Sequence, residues 1–249
     1  MKKRLLQLTV VLSANIFLLC LFSVATAGTI GNPTARVEQG VFQVGGEIDF
    51  GERDIDVDNS KDLEVESNRY IVTGAYGVSD QINVYAKLGM ADASIDEHGI
   101  DFDGDMQITY GGGLRATVHE IDDVKIGVAA QISYFSSEDT KESQYYYYTY
   151  STDIEVTWWE YEIAAGASYE GIESFVPYGG ILFSKTDGEV KATQTSAVYS
   201  KSEKVDFDEA DLVGIFLGAD YNVTPEFKVG LEARLMNQTS FSLMANYVF

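Results

Sequence analysis

The chain has 249 residues, with 17 Lys and Arg against 39 Asp and Glu, a formal charge of −22, one cysteine and three prolines. Such acidity excludes nucleic acid as a partner, because phosphate binding needs a basic surface, and a single cysteine excludes a disulfide framework. Length alone permits one domain or two.

In chain order, residues 1–27 read as a cleaved signal peptide. Met1-Lys2-Lys3-Arg4 supply a basic start, Val10 to Phe22 an apolar run, and Ala25-Thr26-Ala27 a small-x-small site, so cleavage is expected after Ala27. A retained anchor helix competes, since Leu5 to Val24 is nearly long enough to span, but the Ala-x-Ala site favours processing. Cys20 does not make a lipoprotein signal, because Leu18 and Leu19 stand where small residues would be required. Processing removes Lys2, Lys3 and Arg4 and no acidic residue. The remaining 222 residues carry 14 basic against 39 acidic groups, a charge of −25, and no cysteine. No second apolar run of about 18 residues follows, so no helix is expected to cross a membrane after cleavage.

Residues 28–249 are expected to form one domain of strands. A membrane strand needs about 9–11 residues, apolar and polar in alternation. Val41 to Gly51 sets Phe42, Val44, Ile48 and Phe50 against Gln43, Glu47 and Asp49. Arg69 to Val78 gives Tyr70, Val72 and Tyr76 outward, and Ile82 to Leu88 sets Ile82, Val84, Ala86 and Leu88 against Asn83, Tyr85 and Lys87. Met106 to Val118 alternates Ile108, Tyr110, Leu114 and Val118 with Gln107, Thr109, Arg115 and Thr117. Val124 to Tyr134 sets Val124, Ile126, Val128 and Ile132 against Lys125, Gln131 and Ser133. Trp159 to Tyr169 sets Trp159, Tyr161, Ile163 and Tyr169 against Glu160, Glu162 and Ser168. Phe175 to Phe183 is less regular, and Pro177 within it removes a ladder donor. Val213 to Val223 faces Asp220 and Asn222 inward, and Phe227 to Leu235 does the same with Lys228, Glu232 and Arg234.

The tenth run, Phe241 to Phe249, puts Phe241, Leu243, Ala245, Tyr247 and Phe249 on one face and ends on an aromatic residue. That ending resembles the C-terminal signal read by the bacterial barrel assembly machinery. The connections alternate in length. Short ones fall at 79–81, 120–123, 170–174 and 224–226, long ones at about 52–68, 92–105, 136–153 and 186–210, with a tight fifth at 237–240. Short periplasmic turns and long extracellular loops give that alternation. Only a closed barrel satisfies every strand's backbone in lipid, and Tyr and Trp near strand ends suit interfacial girdles. The expected fold is all-β, a transmembrane antiparallel up-and-down barrel of about ten strands, with eight or twelve as alternatives.

Tyr76-Gly-Val-Ser-Asp-Gln-Ile-Asn-Val-Tyr-Ala-Lys-Leu-Gly89 resembles the hairpins of small outer-membrane barrels of the outer-membrane protein A-like and opacity-like type. Gly111-Gly-Gly-Leu-Arg115 and Pro177-Tyr-Gly-Gly-Ile181 look like further strands of the same kind. The likeness covers most of 37–249 and its motifs are architectural. It implies export through the periplasm to the outer membrane, with membrane lipid, lipopolysaccharide and the assembly machinery as partners. It implies no single activity, and its best-known members have eight strands.

Facing assignments send Glu47, Asp49, Glu160, Glu162, Asp220 and Glu232 into the lumen beside Arg69, Lys87, Arg115, Lys125, Lys228 and Arg234. Buried charges persist only when paired, so a salt-bridged filling is expected in so narrow a barrel. A thin ion path is the alternative. The acidic runs Glu52 to Glu66 and Asp92 to Asp105 read as hydrated extracellular loops. Weak calcium or magnesium binding is the sharper alternative, best placed at Asp101-Phe-Asp-Gly-Asp105, and no cofactor is expected. Tyr145 to Tyr148 and Tyr150 offer an adhesive surface or a strand extension. Catalysis would need a poised base beside a carboxylate or nucleophile. The chain's histidines, His98 and His119, lie in an acidic loop and at a short turn, with no nucleophile motif. The expected role is therefore non-enzymatic, structural or toward an unknown surface ligand, with a narrow passive channel as the first alternative and a barrel enzyme using His98 as the second.

Overall fold

A computed structural model describes residues 28–57, 60–97, 100–145, 148–196, 199–208 and 212–249. Among the described residues there are thirteen strands: β1 (Phe42–Val57), β2 (Ser60–Ser79), β3 (Ile82–Ala91), β4 (Ser94–Glu97), β5 (Ile100–Asp103), β6 (Gln107–Ile121) and β7 (Val124–Tyr145). They continue as β8 (Tyr148–Tyr169), β9 (Phe175–Ser196), β10 (Tyr199–Asp208), β11 (Val213–Asn222), β12 (Phe227–Leu235) and β13 (Thr239–Val248). Ten form a ring in which every neighbour is antiparallel: β1, β2, β3, β6, β7, β8, β9, β11, β12 and β13. The ring closes where β1 pairs with β13, from Gln43 opposite Val248 to Glu52 opposite Thr239. Each of the ten predicted runs lies on one of these strands.

Closure removes the sheet edges, and the side chains sort accordingly. Phe42, Val44, Ile48 and Phe50 point out of β1, while Gln43, Glu47 and Asp49 point in and are buried. Val72, Leu88, Ile108, Ile163, Ile181 and Leu217, all about three-fifths exposed, continue the outer belt. Rings close it above and below. Tyr110, Tyr134 and Trp159 cluster at the long-hairpin end with centroids 5.0–6.1 Å apart. Phe42 packs on Tyr76 at 4.6 Å, and Tyr247 on Phe249 at 5.0 Å, at the short-turn end. Trp159 and Tyr169 bracket the belt on β8, a length of strand that tilt reduces to a height of about 25 Å. This is an outer-membrane-type β-barrel.

The short turns stand where expected. Ile121 pairs with Val124 around Asp122, whose φ of 50° is the left-handed conformation that a two-residue hairpin demands and Asp tolerates. Pro177 lies beyond the last β8–β9 pair, Ser168 with Tyr178, and is matched only with Ala219 on β11. The donor it lacks is therefore not needed on the β8 side. The long connections differ from expectation, because most of their described residues are paired strand. β1 and β2 stay paired to Val57 and Ser60, β7 and β8 to Tyr145 and Tyr148. β9 folds back on β10, and β4 on β5. Strands of 22 residues are about twice what lipid requires, so the sheet rises well beyond the outer girdle. Its inward column there is largely apolar: Val65, Ile154, Val156, Trp158, Val190 and Ala192 are buried, with Thr152 and Gln194 among them.

Candidate functional site in the barrel lumen

The lumen is occupied by the chain itself. Residues 28–41 precede β1, and of these 28–37 run inside the ring, all buried except half-buried Arg36. Their backbone groups find side chains of the wall instead of a ladder. Arg36 and Val37 donate their N–H groups to Asn83 Oδ1 at 2.6 and 3.0 Å, and Asn83 Nδ2 returns a bond to the Val37 carbonyl at 2.7 Å. Ala35 N–H reaches Thr117 Oγ1 at 3.0 Å. Further in, the Ile30 carbonyl takes Arg115 Nη2 at 2.9 Å, and its N–H reaches Glu232 at 3.2 Å. Ile30 is seated among Ala129, Ala164, Tyr178, Leu182 and Phe216, an apolar patch on one wall. Close approach needs bare backbone opposite: a Cβ on Gly127 would lie 2.5 Å from the Pro33 carbonyl oxygen.

Around this segment the predicted lumen charges divide by depth. Glu47, Asp49, Arg69, Lys87, Glu160, Glu162, Glu232 and Arg234 are all buried. Lys87 pairs with Glu47 at 3.2 Å. Arg234 reaches Glu162 at 2.8 Å and Glu232 at 3.0 Å, and Glu162 also receives Gln131. Arg69 lies 3.9 Å from Glu160 and 5.4 Å from the Phe135 ring centre. Asp49 accepts the Ser242 hydroxyl. The other four predicted residues stand nearer the short-turn end. Arg115 packs 4.5 Å over Tyr85, Asp220 lies 4.0 Å from Arg36, and Lys125 pairs with Glu170 at 3.1 Å. Lys228 donates to the Arg36 carbonyl at 3.3 Å. Lys125 and Lys228 border an open cavity of about 820 Å³ whose lining also includes Arg36, Glu38 and Glu170, while Arg115 and Asp220 line the small cavity beside Thr29. By contrast, the cavities beside Gly28 and beside Thr29 measure about 10 and 40 Å³, room for one water or a few.

Two contributors escape a reading of the sequence by runs. Arg53, expected in a loop, continues the inward column of Glu47 and Asp49 and is 2% exposed. It pairs with Glu160 at 3.1 Å and bonds Gln238 at 2.5 Å. Extending the period of two past Gly51 would have found it. The second is the lumen segment, which has no periodic signal to find. Above both, Phe135 and Trp158 stack at 3.8 Å and face inward.

The terminal face holds as a row: Phe241, Leu243, Ala245, Tyr247 and Phe249 all point outward from β13 or its end. His119 is exposed at a short turn, opposite Ile126 after a register shift. His98 lies outside the described residues, as do the side chains of 54–64, 95–101 and 143–150, which carry much of the acidic runs and the tyrosine cluster. Among the described residues no group of three or more His, Cys, Asp or Glu is placed to hold a metal ion.

No protein-family model and no characterised relative matches the sequence. Solved structures do. The outer-membrane protease OmpT of Escherichia coli is similar with a TM-score of 0.48 and 12% identity, over 90% of this chain and 99% of that one. An outer-membrane channel of Pseudomonas putida F1 gives 0.47 and 12%, over 91% and 100%. The translocator domain of the autotransporter NalP from Neisseria meningitidis gives 0.47 and 10%, over 86% and 90%. The assignment to outer-membrane-type barrels stands on the chain's own closed ladder and outer face.

Proposed function

We propose that this protein is a plugged, non-enzymatic outer-membrane barrel whose working surface is the sheet that rises beyond the extracellular girdle. The filled lumen is the observation that carries the reading. A segment held by Asn83, Thr117, Arg115 and Glu232 takes the space that a passive channel would need for water. The buried ion pairs around it are costly to break one partner at a time, so they favour a permanent filling over a flickering one. Above the girdle, the outward faces of β8, β9 and β10 carry solvated pairs such as Lys191–Glu155 and Lys204–Glu189. That is a hydrated, rigid platform suited to a surface ligand.

A second reading, a gated narrow channel, draws support from one fact: no backbone ladder ties residues 28–37 to the wall. Single-channel recording of the refolded chain beginning at Gly28 separates the two. The plugged reading expects a silent bilayer, with folding shown by a heat-modifiable gel shift, and steady openings once residues 28–38 are deleted. Steady openings of the undeleted protein would sink it in favour of the channel.

A further inference from the structure

The cavity of about 40 Å³ beside Thr29 is lined by more cations than its carboxylates can pair. Arg36, Lys87, Arg115 and Lys228 stand there against Glu47 and Asp220. Lys87 and Glu47 satisfy each other at 3.2 Å. Arg36 pairs with Glu170 toward the short-turn end, and its Nε stands 4.0 Å from Asp220, too far for a hydrogen bond. Among the described residues, Arg115 and Lys228 have no carboxylate within ion-pairing distance. Each bonds a backbone carbonyl instead, Arg115 Nη2 that of Ile30 at 2.9 Å and Lys228 Nζ that of Arg36 at 3.3 Å.

The donors give the second observation. The Nε–H groups of Arg36 and Arg115 are buried and meet no protein acceptor. Gly31, with φ at 69°, lets the Arg115 guanidinium lie against the segment, since a Cβ there would be 2.7 Å from Nη2. With Arg36 and Lys87 assigned to their partners, two cations, Arg115 and Lys228, face one carboxylate, Asp220. A half-buried charge without a counter-charge is unfavourable. We propose that this cavity binds one small monovalent anion, a halide such as chloride, among Arg115, Lys228 and the Arg36 Nε–H. Its volume takes a halide-sized ion and a water, and no organic ligand. Arg36 and Lys228 also line the open cavity at the short-turn end, so the ion enters from that side. The carboxylates of Glu38, Asp80 and Glu120 at that mouth are exposed, and salt screens them over a Debye length of about 10 Å. The bound ion ties Arg36 of the lumen segment to β6 and β12, and it does so whether the barrel is permanently filled or gated.

The test uses the barrel recovered from outer membranes after expression of the full chain. Crystals soaked in bromide are expected to show an anomalous peak in this cavity, between Arg115 and Lys228. In solution, the broadening of the chloride NMR line by the folded barrel, reversed by bromide, reads the affinity, with gluconate holding the ionic strength constant. Lys228→Met is expected to weaken binding about tenfold or more, since a hydrogen bond from a charged group is lost. Asp220→Asn is expected to tighten it several-fold by removing the competing carboxylate, a gain that a purely structural role would not produce. The heat-modifiable gel shift checks that both variants fold; if Lys228→Met does not, the bromide peak and Asp220→Asn decide. No bromide in the cavity, or bromide on surface lysines such as Lys185 alone (an adventitious ion only), would overturn the proposal. Equal chloride binding by the wild type and the folded variants would do the same.

Discussion

Arg234 joins three elements: it bonds Glu232 on its own strand, Glu162 on β8 and the Gly28 carbonyl in the lumen. Arg234→Met strands two buried carboxylates, and the expected loss is about 3–5 kcal/mol, read as a drop in urea midpoint by heat-modifiable mobility. The double variant Arg234→Met/Glu162→Met should lose less than Arg234→Met alone, since it removes both ends of a pair. Arg36→Ala breaks the pair with Glu170 in the open cavity, where the side chains are 15% and 28% exposed, and should cost no more than about 1 kcal/mol. The facing of most such residues was legible from the period of two, because a closed barrel forces every second side chain inward. Arg53 was not, since the acidic residues around it resembled a loop.

For the elements, the ten ring strands were legible because lipid imposes one pattern on all of them. What lay beyond lipid was not. The stretch 136–153 reads as polar, yet it is two paired strands, because pairing with a neighbour already in register adds ladder bonds without needing an apolar belt. The lumen segment was illegible for the opposite reason: its hydrogen bonds end on side chains scattered from Asn83 to Glu232, and no local periodicity encodes them. Its fit to the wall is testable. Gly127→Val would press a side chain against the Pro33 carbonyl and Thr34 Cγ2. The β6–β7 and β7–β8 ladders should survive and the gel shift persist, while openings appear in planar bilayers as the segment is displaced.

At the scale of the molecule, two cores share one sheet. The lower is polar and wrapped around residues 28–37. The upper, with Trp158, Val156 and Val190, is apolar and lies above the girdle. They should be separable. Replacing residues 139–154 by a two-residue turn, which joins Glu138 to its partner Glu155, should leave a barrel that still inserts and shows the gel shift. Loss of insertion would mean that the upper core is needed for the lower to form.

The closing pair has a consequence for traffic through the wall. The seam between β1 and β13 is where a barrel of this kind would part if it released a lipid or an apolar molecule sideways into the bilayer. Here the seam is stitched from within: Gln43 bonds Asn246 at 2.9 Å, Asp49 accepts from Ser242, and Arg53 reaches across to Gln238. With ten residue pairs outside these stitches, opening the seam sideways would have to separate both layers at once.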